Sequence, residues 1–476
     1  KGVALKPSVK PTPKPTISTI PSSSPSQNKN SADEINGQTC TIENKIIKNT
    51  AGEFWCLKSN DGNLRWAKNN PDPNKSTSTP TPKPTPTPTP TPTQNILYVA
   101  PSTPGSNIDL CKIKETSNVR GMTMAGFPQL PVMAKNSGTA KWALIPIDFA
   151  DLPGEPNPIN RVKDQMNLLS DWFDTVSEGK FKVEWVVYDK WITLPGVSND
   201  YVIPLSDSPD RSPAIANFWK KAITAADPYF DFSGVSTVNF ILPLAQTMVK
   251  ETLQGFPWDQ AVKNHMTNEG PISSFSIPGI FMTDPARAYW SYWAHEYGHA
   301  ITLPHIGVSR GEASLFHALD LMGSQDGPTR ELSGWLRFLA NWMPEERIYC
   351  QEISKLKSTE ITLVPLSNLN SGLKMVVIPI NDSKTLIIES RRVTKFSCST
   401  PSNRNGVLAY VYDSKLGHNE NFLIPLSPSS RTLEQSGCNM PPTSDLFIHQ
   451  GEKITYEGVT VEVLIQANYD RIRISK

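Results

Sequence analysis

The stretch HEYGHAITLPH, residues 295–305, decides how the rest of the chain must fold. It places His295 and His299 four residues apart, and a third histidine, His305, follows six residues later. On an α-helix, side chains four residues apart leave the same face one turn apart. The pair Leu303–Pro304 ends such a helix, because the residue before a proline is pushed towards extended geometry. The sequence therefore predicts a helix with two histidines, followed by a bend that returns a third.

This spacing is typical of a zinc site. Two imidazoles on one helical face can reach one Zn²⁺ at about 2.0–2.1 Å, and His305 supplies a third ligand. Glu296 lies beside the pair, where its carboxylate can contact a water molecule rather than the metal. Three protein ligands leave one position open, as catalytic zinc sites require. Only seven histidines occur in 476 residues, so composition alone rarely produces this pattern.

Three side chains downstream of the motif are alternative third ligands: Glu312, His317 and Asp320. Some zinc sites combine two histidines with a glutamate from further along the chain, so Glu312 is the main alternative. We expect His317 and Asp320 to have supporting or structural roles.

The residues from His295 to His305, with Met322 downstream, resemble the metzincin zinc metalloproteases. The family pattern is H-E-x-x-H-x-x-G-x-x-H followed by a methionine turn beneath the metal, which implies that role for Met322. Thr302 stands where the family has glycine. A β-branched residue resists positive φ, so we expect the exit from the helix to differ here. Some metzincins place a tyrosine two residues after the methionine, where this chain has Ser324.

A closer resemblance is to the bacterial immune inhibitor A-type (gametolysin-like) secreted peptidases. These share a Leu-Pro pair before the third ligand, which is often aspartate there and is His305 here. The resemblance implies a zinc-dependent endopeptidase that acts on protein or peptide substrates, with Glu296 as general base. It covers about residues 95–476, and weaker similarities flank the motif at Ile147–Phe149, Val176–Phe181, Ile388–Arg391 and Gly406–Leu408.

Two proline-rich segments precede this region. Residues 1–35 are rich in Pro, Ser, Thr and Lys, and residues 71–94 repeat Thr-Pro, so we expect both to be disordered or extended linkers. Between them, residues 36–70 show an apolar alternation that predicts a small β module. A module of this size needs a staple, so we expect a disulfide between Cys40 and Cys56. Its role is either to bind a cell-wall or surface ligand or to be a passive stabilised module.

Residues 95–350 are predicted to form an α/β (α+β) catalytic domain, with a twisted mixed sheet and the motif helix as its active-site helix. Pro146 predicts an edge position or a bulge for the first strand. Asp284 and Pro285 are expected to start the motif helix, and Ser276–Met282 to line the cleft. Strands and amphipathic helices are expected to alternate at 142–149, 160–177, 181–185, 212–225, 238–243 and 332–339.

From residue 351 the pattern changes to short alternating strands between Ser, Asn, Gly and Pro turns. This predicts an all-β sandwich-like domain over residues 351–476. Glu389 and Arg391 are expected on a solvated strand face. His418 and His449 are expected on surface loops.

Charge and cysteine usage narrow the class of protein. The net charge of +1 gives no reason to expect a nucleic acid or an anionic membrane as partner, and no transmembrane segment is found. Six cysteines without C-x-x-C spacing predict three disulfides and a secreted or cell-surface location. The chain begins at lysine without a signal peptide, so we expect a mature or trimmed form.

Proximity along the chain pairs Cys398 with Cys438 and leaves Cys111 with Cys350. The alternative for Cys111 is an inhibitory thiolate on the zinc.

The competing hypothesis is a catalytically lapsed secreted or cell-surface binding protein on a metalloprotease scaffold. It would use residues 36–70 and 351–476 for attachment. Thr302 is the feature that favours it, and the intact Glu296 argues against it.

Overall fold

The computed structural model divides the chain into two compact units, Lys1–Pro90 and Thr91–Lys476. The predicted linkers, the proposed helix start at Asp284 and Pro285, and the Cys398–Cys438 pair lie outside the described residues. The structure describes residues 39–40, 46–49, 52–58, 63–68, 98, 100–118, 122–206, 208–256, 265–277, 288–307, 316, 319–327, 329–397, 405–428, 433–434, 443–444 and 446–476.

The first unit contains a three-stranded antiparallel sheet, in the order β1 (Ile46–Asn49), β2 (Gly52–Lys58) and β3 (Leu64–Lys68). Phe54 and Cys56 are two residues apart on the central strand, point to the same face, and are both fully buried. The predicted disulfide between Cys40 and Cys56 is present. It fastens the segment before the sheet to its central strand.

The N-terminal part of the second unit is built on a mixed sheet, which in the described residues has six strands. These are β4 (Gly138–Phe149), β5 (Phe181–Val187), β6 (Ile192–Leu194), β7 (Val235–Ile241), β8 (Leu253–Gly255) and β11 (Ser274–Ile277). The order is β5-β4-β7-β11-β8, with β6 also paired to β4, and only β8 runs antiparallel to its neighbour. A short hairpin joins β9 (Met266–Thr267) to β10 (Gly270–Pro271).

Strand β4 lies inside this sheet, so the edge position or bulge predicted from Pro146 is wrong. β4 pairs with β5 through Leu144 and with β6 from Ile147 onwards. On this side of β4, Pro146 lies between the residues that pair with β5 and those that pair with β6. Its lack of an N–H therefore removes no inter-strand hydrogen bond there. The irregular register in the pairing of β4 with β7 lies at Lys141–Trp142 instead.

Four α-helices occur in the described residues: α1 (Pro158–Val176), α2 (Arg211–Ala226), α3 (Tyr289–Ala300) and α4 (Gly334–Leu339). The predictions of α1 and α2 are confirmed to within two residues at each end, because their apolar residues recur every three or four positions. α4 differs from its prediction. All six of its residues are buried, so it is a core helix rather than an amphipathic one.

Aromatic packing fixes the position of α3, the helix that carries the motif. The ring of Trp142 on β4 lies 4.9 Å from Tyr297 and 6.0 Å from Trp293. Phe173 on α1 lies 5.4 Å from Tyr297. Because these large rings are buried and interlocked, α3 is held rigidly between the sheet and α1.

The C-terminal part contains two larger sheets that share a buried apolar cluster. One has the order β12 (Ile348–Cys350), β14 (Met375–Pro379), β15 (Lys384–Arg391), β16 (Gly406–Asp413) and β17 (Leu423–Leu426), with β20 (Phe447–Ile448) also on β16. The other has the order β13 (Thr359–Leu363), β23 (Asp470–Ser475), β22 (Val459–Gln466) and β21 (Lys453–Tyr456). A separate short pair joins β18 (Leu433–Glu434) to β19 (Thr443–Ser444).

The prediction that Glu389 and Arg391 form a solvated face of β15 is wrong, since both are buried. Glu389 accepts hydrogen bonds from the main-chain N–H of Gly334 at 2.8 Å and from the hydroxyl of Tyr410 at 2.7 Å. Arg391 forms an ion pair with Glu389 and donates to the carbonyl of Leu319. That face of the sheet therefore packs on α4 and on the chain that follows the motif helix.

One apolar core runs across the predicted boundary near residue 350. It joins Trp293 of α3 and Trp335 of α4 to Tyr410 of β16. The disulfide between Cys111 and Cys350 is present as predicted, which leaves no thiolate at Cys111 for a metal. Whether 95–350 and 351–476 act as separate domains stays a prediction.

Candidate metal centre

Three histidines meet at the C-terminal end of α3. The Nε2 atom of His305 lies 2.9 Å from Nε2 of His295 and 2.9 Å from Nε2 of His299. Their ligand atoms all lie within 4.8 Å of one another, which makes them the one group in the described residues that could hold a metal ion. The structure thus brings together the three side chains singled out from the sequence.

Each of these rings is oriented by a hydrogen bond at its other nitrogen. Nδ1 lies 2.9 Å from the carbonyl of Leu321 in His295, and 2.8 Å from the carbonyl of Leu303 in His299. In His305 it lies 3.0 Å from the side-chain oxygen of Asn419. A carbonyl oxygen can only accept, so Nδ1 carries the proton and Nε2 keeps its lone pair.

This arrangement fits a zinc ion. Three unprotonated Nε2 atoms cannot hydrogen-bond to one another, and a cation among them replaces their mutual repulsion with attraction. Burial, helped by neighbouring ring charge, lowers the pKa of His295 to about 3 and holds the pKa of His299 well below its usual range. Both rings are therefore neutral at neutral pH, which is the form that binds zinc.

Glu296 follows His295 on α3 and is partly buried. Burial raises the pKa of its carboxyl to about 8, because the charged form is poorly solvated there. A dication nearby would favour the carboxylate and lower that pKa again. The side chain can therefore exchange a proton in the pH range in which a general base works.

The exit from α3 does not differ as Thr302 predicts. Thr302 takes a φ of +74°, in the left-handed region where the glycine of the resembling family would be unstrained. Its hydroxyl donates to Gln129 Oε1 at 2.8 Å, and its carbonyl accepts from the N–H of Met124 at 3.1 Å. These contacts hold a conformation that a β-branched residue resists. Thr302 was the one feature that favoured a catalytically lapsed protein, and the fold accommodates it.

Residues 122–135 contact the C-terminal end of α3. The main-chain N–H groups of Met133 and Ala134 donate to the carbonyl of Ala300 at 2.9 Å and 3.2 Å. The hydroxyl of Tyr297 donates to the carbonyl of Lys135 at 2.8 Å. That hydroxyl is therefore engaged in the fold.

Met322 lies against α3 between the two helical histidines. A Cβ atom added to Gly298 would come within 2.7 Å of the sulfur of Met322, so glycine permits this close approach. The carbonyl of Met322 accepts from the N–H of Ile306 at 3.1 Å, directly after His305. The segment around Met322 therefore supports histidines on both sides of the bend.

Asp320 lies outside the histidine cluster. Its buried carboxylate accepts from the N–H groups of Met322 at 2.8 Å and Ser333 at 2.6 Å, and burial raises its pKa to about 6. It shapes the turn at Met322, as expected of a structural residue. The other alternative ligands, Glu312 and His317, lie outside the described residues.

His418, expected on the surface, instead lies beside the candidate metal centre. Its ring centroid is 5.0 Å from that of His305 and 5.9 Å from that of His299. Its Nδ1 lies 3.2 Å from the main-chain nitrogen of His305. Sequence reasoning missed this residue, and the only available signal was the run of polar residues at 418–420, soon after the buried strand β16.

Comparisons with known proteins give no family assignment. No family model matches the chain, and no curated protein matches it. A crystal structure of wild-type OgpA from Akkermansia muciniphila is similar over 61% of this chain and 88% of its own, with 12% identity and a TM-score of 0.28. Catalytically inactive OgpA in complex with an O-glycopeptide substrate covers 62% and 89%, with 11% identity and a TM-score of 0.25. TM-scores this low do not establish a shared fold.

Proposed function

We propose that the chain is a secreted zinc-dependent endopeptidase. The observation that carries this proposal is the convergence of three histidine Nε2 atoms, each in a ring whose Nδ1 is held by an oxygen acceptor. Glu296 lies beside the first of these histidines on α3. Such a set of ligands leaves room for water and substrate, as in catalytic zinc sites. A structural site would fill the fourth position with a fourth protein ligand.

In the proposed mechanism, His295, His299 and His305 would hold the zinc ion through Nε2. The bound ion would supply polarisation of the substrate carbonyl and a lower pKa for water. The Glu296 carboxylate takes a proton from the attacking water and later gives it to the leaving amine nitrogen. Leu321, Leu303 and Asn419 keep the three rings in the tautomer and orientation that this chemistry needs.

A peptide substrate fits by strand addition to the sheet. Ser276 and Ile277 belong to β11, which is paired on both sides, to β7 and to β8. Residues 278–282 lie outside the described residues, so the expectation that 276–282 line the cleft stays a prediction. The last strand on this side of the sheet, in the described residues, is β8. The hydroxyl of Tyr292 on α3 donates to Gln254 of β8 at 2.7 Å, which ties this strand to the helix one turn before His295.

The two disulfides support secretion, because such bonds persist in oxidising compartments. In the described residues no helix is both long and apolar enough to cross a membrane. The proposed organisation has linkers at 1–35 and 71–94 and a small module at 36–70. The module either binds a cell-wall or surface ligand or is a passive stabilised unit. A catalytic region at 95–350 and a β-sandwich at 351–476 follow.

The test is digestion of a peptide library by the wild type and by Glu296→Gln, with zinc content measured on both. We expect the variant to keep zinc and to lose activity by orders of magnitude, because Glu296 moves the proton without binding the metal. Glu346→Gln, at an exposed position, is the matched control and should cleave as the wild type does. A Glu296→Gln variant that cleaves peptides normally would overturn the proposal.

A further inference from the structure

A loop from the C-terminal β region closes one side of the candidate metal centre. Residues 417–420, which we call the 417–420 loop, bind the main chain around His305 at several points. The N–H of Asn419 donates to the carbonyl of His305 at 3.3 Å, and the N–H of Gly307 donates to the carbonyl of Glu420 at 2.9 Å. The loop is therefore part of the site, and its hydrogen bonds determine the position of His418.

The hydrogen bonds of His418 determine which of its nitrogens carries the proton. Its Nδ1 accepts from the main-chain N–H of His305 at 3.2 Å, and a main-chain amide can only donate. The hydroxyl of Thr123 lies 2.9 Å from the same nitrogen and can donate to it as well. Nδ1 is therefore unprotonated, and the neutral ring carries its proton on Nε2.

We propose that His418 is a catalytic residue whose Nε2–H donates a hydrogen bond to the carbonyl oxygen of the scissile peptide bond. This inference rests on the proposed peptidase function. No bond forms or breaks at His418: the donor stabilises the oxygen as it gains negative charge when water adds. The ring stacks on His305 with an interplanar angle of 27°, which places a neutral donor group beside the histidine triad.

Two other residues considered for this role are less suitable. The hydroxyl of Tyr297 already donates to Lys135. Ser324 occupies the position where some metzincins have tyrosine, and its short side chain reaches less far than a phenol. His418 combines a fixed ring with a donor that the fold has oriented in advance, which is the property that stabilises an oxyanion.

The rival role for His418 is to position His305 through the hydrogen bond at Nδ1. Two substitutions separate these roles, because asparagine places a polar atom near Nδ1 and glutamine places one near Nε2. If His418 is the oxyanion donor, His418→Asn should lower kcat by about 10²–10³-fold, with little change in KM and with zinc retained. His418→Gln should keep more of the activity. The opposite order, with loss of zinc in His418→Gln, would overturn the proposal.

A second measurement does not depend on activity. Long-range ¹H–¹⁵N NMR spectra of the full chain, without and with zinc, report which nitrogen of His418 is protonated. We expect a proton on Nε2 and none on Nδ1 in both states, and a proton on Nδ1 would refute the assignment. His449→Asn is the control for activity, because His449 lies on the turn after β20. Failure of the proposed function would appear separately, as normal cleavage by Glu296→Gln.

Discussion

His299 and His305 are six residues apart in the chain, yet the structure holds them in different ways. The Nδ1 of His299 is held by Leu303, four residues away and just past the end of its own helix. The Nδ1 of His305 is held by Asn419, which is 114 residues away in the C-terminal β region. The first position is set by local helix geometry, whereas the second exists only when two distant parts of the chain have folded together.

The largest effect is expected from His299→Ala, which removes a side chain set by the local motif. We expect loss of both bound zinc and peptidase activity, since two protein ligands rarely hold a catalytic metal. Zinc content after dialysis and peptide cleavage are the measurements, with His449→Ala as the control. Full zinc occupancy in His299→Ala would show that the metal is bound elsewhere.

The distant support of His305 should have a smaller effect than the ligand itself. Asn419→Gly removes the acceptor for His305 Nδ1 and tolerates the positive φ of +65° at this position. We expect zinc affinity to fall by about 10–100-fold, as for other residues that orient a metal ligand. Asn419→Asp keeps an acceptor oxygen and should bind zinc as the wild type does. Equal affinities in all three proteins would mean that the 417–420 loop does not support the metal.

The pH dependence of stability tests the surroundings of Glu296, which follows His295 on α3. In the zinc-free protein the carboxyl of Glu296 has a pKa of about 8, raised from 4.5 by burial. The folded state then binds more protons than the unfolded state between these values, so stability falls as pH rises through them. Each unit of pKa shift corresponds to about 1.4 kcal/mol.

Urea denaturation of zinc-free wild type and Glu296→Gln at a series of pH values measures this effect. Relative to the variant, the wild type should lose stability as the pH increases from about 5 to above 8. Added zinc should weaken the trend, because the cation favours the carboxylate. A constant difference between the two proteins across this range would contradict the assigned shift.

The smallest effect is expected at Thr302, in the bend between His299 and His305. Thr302→Val removes the hydroxyl that donates to Gln129 but keeps the β-branch at positive φ, so we expect destabilisation of about 1 kcal/mol. Thr302→Ser keeps the hydroxyl without the branch and should be at least as stable as the wild type. Urea midpoints measure both. A Thr302→Val protein as stable as Thr302→Ser would mean that the hydrogen bond to Gln129 contributes nothing.

Much of the fold and part of the site could be predicted from the sequence, because the signals are local. The apolar spacing of α1 and α2 and the alternation of the C-terminal strands depend on neighbouring residues only. The His295–His299 spacing on one helical face is a signal of the same kind. The positions of Cys40 and Cys56 in one small module likewise predicted their bond.

The failed predictions all involve residues whose environment is set by distant chain. Glu389 was expected in solvent, and its burial depends on Gly334 and Tyr410. Thr302 was expected to change the bend, but its left-handed conformation is held by Gln129 and Met124.

The sequence by itself determined which histidines could meet, through helix periodicity and the stop at Leu303–Pro304. Only the tertiary structure decided how His305 is oriented and that His418 lies beside it. The physical reason is that a hydrogen bond between residues 113 positions apart, such as that from His305 to His418, leaves no periodic trace in sequence. It forms because the packing of the β region against α3 and α4 brings the two segments together.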